Sequence, residues 1–324
     1  MMRAILLLCL LGYVANVFAQ PVVIAHRGAS GYLPEHTLEA AVLAYAQGVD
    51  YIEQDLVLTK DGQLIVLHDI VLQTTTNVAQ VFPDRAREDG QFYAIDFTLA
   101  EIKRLNKYER QDAQLQQVYP QRYRAKQGFQ ISTWDEQVEL ITELNRQFGR
   151  QVGWYPELKA PAWHAEQGQD ILKIYVESLN QAGMNTKEAP VITQCFDWIA
   201  TQALRQQYGL QTKLVQLIAE NDWTESSTDY DALKTEEGVA QMAKIIDGIG
   251  PWLPQLYDMD TQKPTAFWSA LQTTNLVVHP YTHRDDALIL ASSPKEQLQL
   301  IFETLKVDGV FTDQPVTTVL FLNK

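Results

Sequence analysis

Two histidines, two fixed cations and three carboxylates stand where they could act together. His26-Arg27 follows directly on an apolar run in "VVIAHRGASGYLPEHT" at 22–37, and Glu53 and Asp55 lie in "YIEQDLVL" at 51–58. His68-Asp69 closes the next apolar run, and Glu157 and Lys159 lie in "YPELKAP" at 155–161. Side chains alternate along a strand, so Tyr51, Glu53 and Asp55 share one face, as do Tyr155, Glu157 and Lys159. Three acids that converge without compensation raise one another's pKa, so protons or a cation must accompany them. Oxygen-only ligands favour a hard divalent ion over zinc, and we expect one on Glu53, Asp55 and Glu157, calcium ahead of magnesium. The bland alternative is that Glu157 pairs with Lys159, Glu53 makes an ordinary ion pair and nothing binds.

His26 and His68 supply the proton chemistry. Imidazoles titrate near ~6.5, so a pair of them can serve as base and acid at neutral pH. Arg27 and Lys159 offer fixed positive charge, and a guanidinium fork matches phosphate oxygens. Together with a divalent ion, this set suits phosphodiester cleavage better than carbonyl or sugar chemistry. The chain as a whole is acidic, with 26 basic against 40 acidic side chains and a net charge of −14. Such a surface repels nucleic acid and anionic membranes, so an anionic small-molecule substrate needs a local cluster of positive charge.

The elements that must position these residues repeat as strand followed by helix. Short β-rich runs fall at 22–25, 51–56, 152–158, 190–195, 213–218, 245–249, 276–279 and 309–312, with helical patterns between them. Eight such units predict a (β/α)₈ barrel, in which functional groups sit at the C-terminal ends of the strands. The run at 63–67 is separated from 56–58 only by Thr59-Lys60-Asp61-Gly62, too short for a parallel crossover. It must return antiparallel as a hairpin, bringing His68 back to the end of the second strand. Residues 70–130 fit no barrel unit and read as an insertion whose purpose no motif discloses. Gly28 and Gly31 allow the chain to turn closely about a ligand after the first strand.

Residues 1–19, with Arg3, an apolar run and Val17-Phe18-Ala19, have the layout of a secretory signal peptide. The apolar stretch is shorter than the ~20 residues of a spanning helix. We therefore expect a periplasmic or secreted domain at 20–324, with no stable membrane insertion once the signal is removed. Loss of Arg3 takes the net charge to −15. Cys195 is then the single cysteine, so no internal disulfide can form, and it reads as a buried inert thiol. His164 and His283 read as loop or surface histidines, and Trp198, Trp223 and Trp252 as packing or cleft walls.

The segments "AHRGASGYLPEHT", "YIEQDLVLTKDGQLIVLHD", "YPELKAP", "VVHPYT" and "FTDQP" resemble, in order, the glycerophosphodiester phosphodiesterases, and closely their periplasmic bacterial members. The resemblance spans residue 22 to about 315. It implies a (β/α)₈ barrel with an inserted region after the hairpin histidine, and a divalent ion on Glu53, Asp55 and Glu157. It also implies His26 with His68 as the acid/base pair and Arg27 and Lys159 on the phosphate. Its implied substrates are glycerophosphodiesters, cleaved to sn-glycerol 3-phosphate and an alcohol through a cyclic phosphate. His36 stands where many relatives have Asn, and we assign it no catalytic role. "QCFD" at 194–197 replaces a commoner Ser-Phe, leaving Phe196 as a substrate wall. Two rival readings are a related phospholipase acting on intact or lyso-phospholipids, and a catalytically silent surface protein that binds a ligand on this scaffold.

Overall fold

A computed structural model describes residues 20–324. The signal-peptide reading of 1–19 lies outside the described residues. The parallel strands are β1 (Val22–Ala25), β2 (Tyr51–Leu58), β4 (Gly153–Leu158), β5 (Ile192–Cys195), β6 (Lys213–Ile218), β7 (Gly248–Pro251), β10 (Val277–Val278) and β11 (Gly309–Thr312). They are ordered β10-β7-β6-β5-β4-β2-β1-β11. The seam between the end strands is drawn together by Asp308 N donating to Val278 O at 3.1 Å and Phe311 N to Pro280 O at 3.1 Å. The result is a nearly closed eight-stranded parallel barrel. β3 (Leu64–Val66) folds back antiparallel on β2, Leu58 opposite Leu64, which is the expected hairpin. A two-stranded ribbon, β8 (Tyr257–Asp258) with β9 (Lys263–Pro264), is attached beyond β7.

The helices start where the sequence supplies caps. Thr133 caps the helix Trp134–Phe148 by accepting from Glu136 N while Glu136 returns to the Thr133 backbone. That helix ends at Gly149 with φ 64°, a left-handed conformation that glycine adopts without a Cβ clash. One strand is displaced from expectation. The run at 245–249 forms its strand at Gly248–Pro251, because Ile245 and Ile246 finish the turn after the helix Glu236–Met242. Glycine at 248 and 250 lets neighbours approach closely there: a Cβ would meet Val277 and Leu217 at 2.5 Å.

The segment 70–130 packs a core of its own against the hairpin. Leu72, Val78, Phe92, Phe97, Ile102 and Leu105 bury themselves on Val57, Ile65 and Leu67. Val57 follows Glu53 and Asp55 on the same face of β2, so one strand face carries the chemistry and, further along, the contact with the inserted core.

Two histidines depart from expectation. His283 is fully buried, its Nδ1 hydrogen-bonded to Gln297, and His164 is buried in the helix Pro161–Glu166 with neither ring nitrogen partnered. Both look like loop residues in the sequence, because "PAWH" and "YTHRDD" have no apolar periodicity. Burial lowers the His164 pKa to about 4. Between that value and ~6.5 the unfolded chain binds a proton that the folded chain refuses, so this stability is present above pH ~6.5 and lost as pH falls towards 4. In urea unfolding, His164→Leu should gain on the parent as pH falls from 7 to 5, approaching a limit of about 3 kcal/mol near pH 4. A constant difference across that range would refute the assignment.

Candidate active site

The C-terminal ends of the strands open onto a cleft of about 240 Å³ whose lining includes His26, Arg27, Glu53, His68, Glu157 and Phe196. The far wall is aromatic, with Trp223 and Trp252 edge to face at 5.1 Å, beside Tyr281 and Glu225. Trp223 and Trp252 are thus cleft walls, whereas Trp198 packs on the barrel core.

Both histidines are oriented in the same way. His26 Nδ1 lies 2.6 Å from Asp313 Oδ1, and His68 Nδ1 lies 2.5 Å from Asp69 Oδ1. Each carboxylate accepts a hydrogen bond from Nδ1–H and leaves Nε2 as the free ring nitrogen. The carboxylates are ionised. Burial opposes this, but Arg284 and His26 hold Asp313 well below its ordinary range, and His68 with Arg110 does the same for Asp69. Burial and the Arg27 charge lower His26 to about 4 and, with Lys159 adding to them, His68 to about 3, so both rings are neutral near pH 7.

Arg27 has φ 60°, and this left-handed turn lets its backbone N–H donate to Glu53 Oε2 at 2.6 Å. Its guanidinium donates to Glu35 Oε2 at 3.1 Å and passes 3.5 Å from Asp55 Oδ2. Lys159 Nζ is 2.7 Å from Glu157 Oε1 and 5.4 Å from the Phe196 ring centre, behind the cleft wall. The pairing that the bland sequence reading foresaw is therefore made.

The acids meet as expected on neighbouring strands, with Asp55 in register with Glu157 across β2 and β4. The tightest grouping differs from the expected set: His36, Glu53 and Asp55 bring potential ligand atoms within 4.8 Å of one another. His36 Nε2 lies 2.7 Å from Asp55 Oδ2, as a donor that fixes the carboxylate, and it is wholly buried. Asp55 Oδ1 is left buried and unpartnered. Burial and the Asp55 charge push Glu53 well above the carboxylate range, and burial raises Glu157 to about 8 against the pull of Lys159. The raised acids, the free oxygen of Asp55 and the acid-rich donor set fit a hard divalent cation. With an ion on Asp55, His36 would stand behind it as the hydrogen-bonded partner that ligating carboxylates ordinarily have.

Sequence reasoning missed Glu35, Asp313, Arg110, Arg122 and the part played by His36. Asp69 and Asp313 were findable in principle, since one follows His68 directly and the other ends β11 at the active mouth. Cys195 is inert as expected: it is buried, and burial pushes its thiol far up.

Residues 26–317 match the Glycerophosphoryl diester phosphodiesterase family. The chain is 42% identical to a glycerophosphodiester phosphodiesterase of Haemophilus influenzae, over 93% of this chain and 89% of that one. It is 33% identical to one from Treponema pallidum, over 96% and 94%. In fold it is similar to a crystal structure from Silicibacter pomeroyi (TM-score 0.71, 22% identity, 94% of both chains). It is likewise similar to an Oleispira antarctica phosphodiesterase in complex with the product sn-glycerol-3-phosphate (TM-score 0.63, 22% identity, 94% and 98%).

Proposed function

This chain belongs to the glycerophosphoryl diester phosphodiesterase family, and from that premise we propose that it cleaves glycerophosphodiesters by acid/base catalysis between His26 and His68. It is an enzyme, a glycerophosphodiester phosphodiesterase, so the silent ligand-binding reading falls. The observation that carries the mechanism is the matched pair of carboxylate-held imidazoles in one cleft.

The glycerol 2-hydroxyl lies next to the phosphate, and a tethered nucleophile acts at an effective concentration of roughly 10⁵–10⁸ M. One imidazole takes the hydroxyl proton on Nε2 as the oxygen bonds to phosphorus. The other, having gained a proton as the anionic phosphodiester arrives, passes it to the departing alkoxide as the P–O bond breaks. This yields a cyclic phosphate and an alcohol, and water opens the ring with the two roles exchanged. Asp313 and Asp69 steady each imidazolium as it forms. Arg27 meets the phosphate from the cleft lining, and Lys159 lends charge from behind Phe196, which walls the substrate. Glu53, Asp55 and Glu157 would hold a divalent ion, calcium ahead of magnesium because carboxylates can chelate it in irregular geometry. When bound, the ion supplies Lewis-acid charge for the phosphoryl oxygens.

The test is release of sn-glycerol 3-phosphate from glycerophosphocholine, set beside a diester of ethylene glycol monomethyl ether, which lacks the neighbouring hydroxyl. We expect the second substrate to be slower by at least about 10³-fold, the loss of a tethered nucleophile. Equal rates would make water the direct nucleophile. A lysophospholipid assayed alongside decides the phospholipase alternative, and we expect it to be the poorer substrate. We also propose export to the periplasm or medium, supported by the pattern at 1–19. Gln20 as the mature N-terminus supports it, whereas Met1 refutes it.

A further inference from the structure

We propose that the inserted segment 70–130 is a positioning element of the reaction, acting through Arg110 and Arg122. This rests on the reading of His26 and His68 as the acid/base pair. Each histidine-bound carboxylate has a second oxygen, and on each of them an arginine from this segment is seated. Asp69 Oδ2 accepts from Arg110 Nη1 at 2.6 Å and from Thr74 Oγ1 at 2.7 Å. Asp313 Oδ2 accepts from Arg122 Nη2 at 2.7 Å and from Arg284 Nε at 2.8 Å.

Neither arginine is free to follow a moving carboxylate. Arg110 closes a fork on Glu35, Nη2 to Oε1 at 2.7 Å and Nε to Oε2 at 3.1 Å, and Glu35 in turn receives Arg27. Arg122 closes a second fork on Asp286 at 2.8 and 2.9 Å, with its side chain only 4% exposed. A guanidinium fork fixes a plane as well as a distance. With one oxygen on the imidazole and the other on an immobile fork, the carboxylate cannot rotate, and the aim of Nε2 is set. The two arginines lie 12 residues apart in one segment, so a single element sets both rings, which the barrel strands supply from β1 and the β3 hairpin. Small errors in such aim are expensive, a displacement of ~1 Å costing about 10²-fold.

The test is a double-mutant cycle on purified protein with glycerophosphocholine. Arg122→Ala and Arg110→Ala should each lower kcat by about 10-fold to 10²-fold with KM held within about threefold, and lysine should restore only part, having charge without the fork. Because Arg122 acts through His26, Arg122→Ala should change kcat less than about twofold in a His26→Ala background; the same holds for Arg110→Ala on His68→Ala. A purely structural role would cost the same in both backgrounds, and that result, or unchanged kcat in the arginine variants, overturns the proposal. If an alanine variant fails to fold, the lysine variants complete the same cycle. Near-normal turnover in His26→Ala or His68→Ala would sink the acid/base reading instead, so the two failures are distinguishable.

Discussion

Alanine at His26 or His68 should lower turnover by about 10²-fold to 10⁴-fold each, and the double variant should fall far short of the product of the two losses. Each ring has one nitrogen committed to a carboxylate, buried Asp313 for His26 and part-exposed Asp69 for His68, so loss of the imidazole removes the transferable proton and strands an ionised acid behind the cleft. Both proton transfers belong to one displacement, and with either ring absent the other has no counterpart. That is why the losses do not multiply. KM should move little, because neither ring is proposed as the main phosphate contact. The measurement is steady-state kinetics on the three variants, with melting temperatures to establish folding. Near-normal turnover in either single variant removes that histidine from the mechanism.

Glu53→Gln, Asp55→Asn and Glu157→Gln should each weaken binding of a divalent ion and lower activity with it. Asp55→Asn should be the most damaging, since Asp55 has the unpartnered buried oxygen and is the carboxylate fixed by His36. The readout independent of catalysis is stability. An ion at 100 times its Kd stabilises the fold by about 2.7 kcal/mol, which for a domain of this size raises the melting temperature by several degrees. Calcium titrated into chelator-treated parent protein should produce that rise and restore glycerol 3-phosphate release. In Asp55→Asn both responses should be lost or displaced to much higher calcium. Full activity in excess chelator, or no thermal response in the parent, refutes the metal reading.

The barrel and most of its site were legible because their signals are local. Apolar runs that end in His26, in Glu53 and Asp55, or in Glu157 name the strands and the chemistry together, and the short turn at 59–62 forces the hairpin that carries His68 back. Short periodic segments are weaker guides at their edges, which is why the sixth unit's strand lies further along than its isoleucines suggested. His164 and His283 misled for a related reason. Burial is decided by what the rest of the chain packs over a residue, and nothing in four or five neighbouring letters reports it.

From the sequence alone came the strand-helix alternation, the face of each strand that bears the acids, and the residue types that suit a phosphodiester. All of these depend on the period of the backbone and on side-chain chemistry, which neighbours in the chain determine. Tertiary structure alone decided which groups share a proton or a charge. Asp313 reaches His26 across 287 positions and Arg122 reaches Asp313 across 191, distances over which no periodicity or motif carries information. The 2.6 Å hydrogen bond between His26 and Asp313 exists because closing the barrel brings its first and last strands side by side. The inserted segment then folds its two arginines over the mouth that this closure creates.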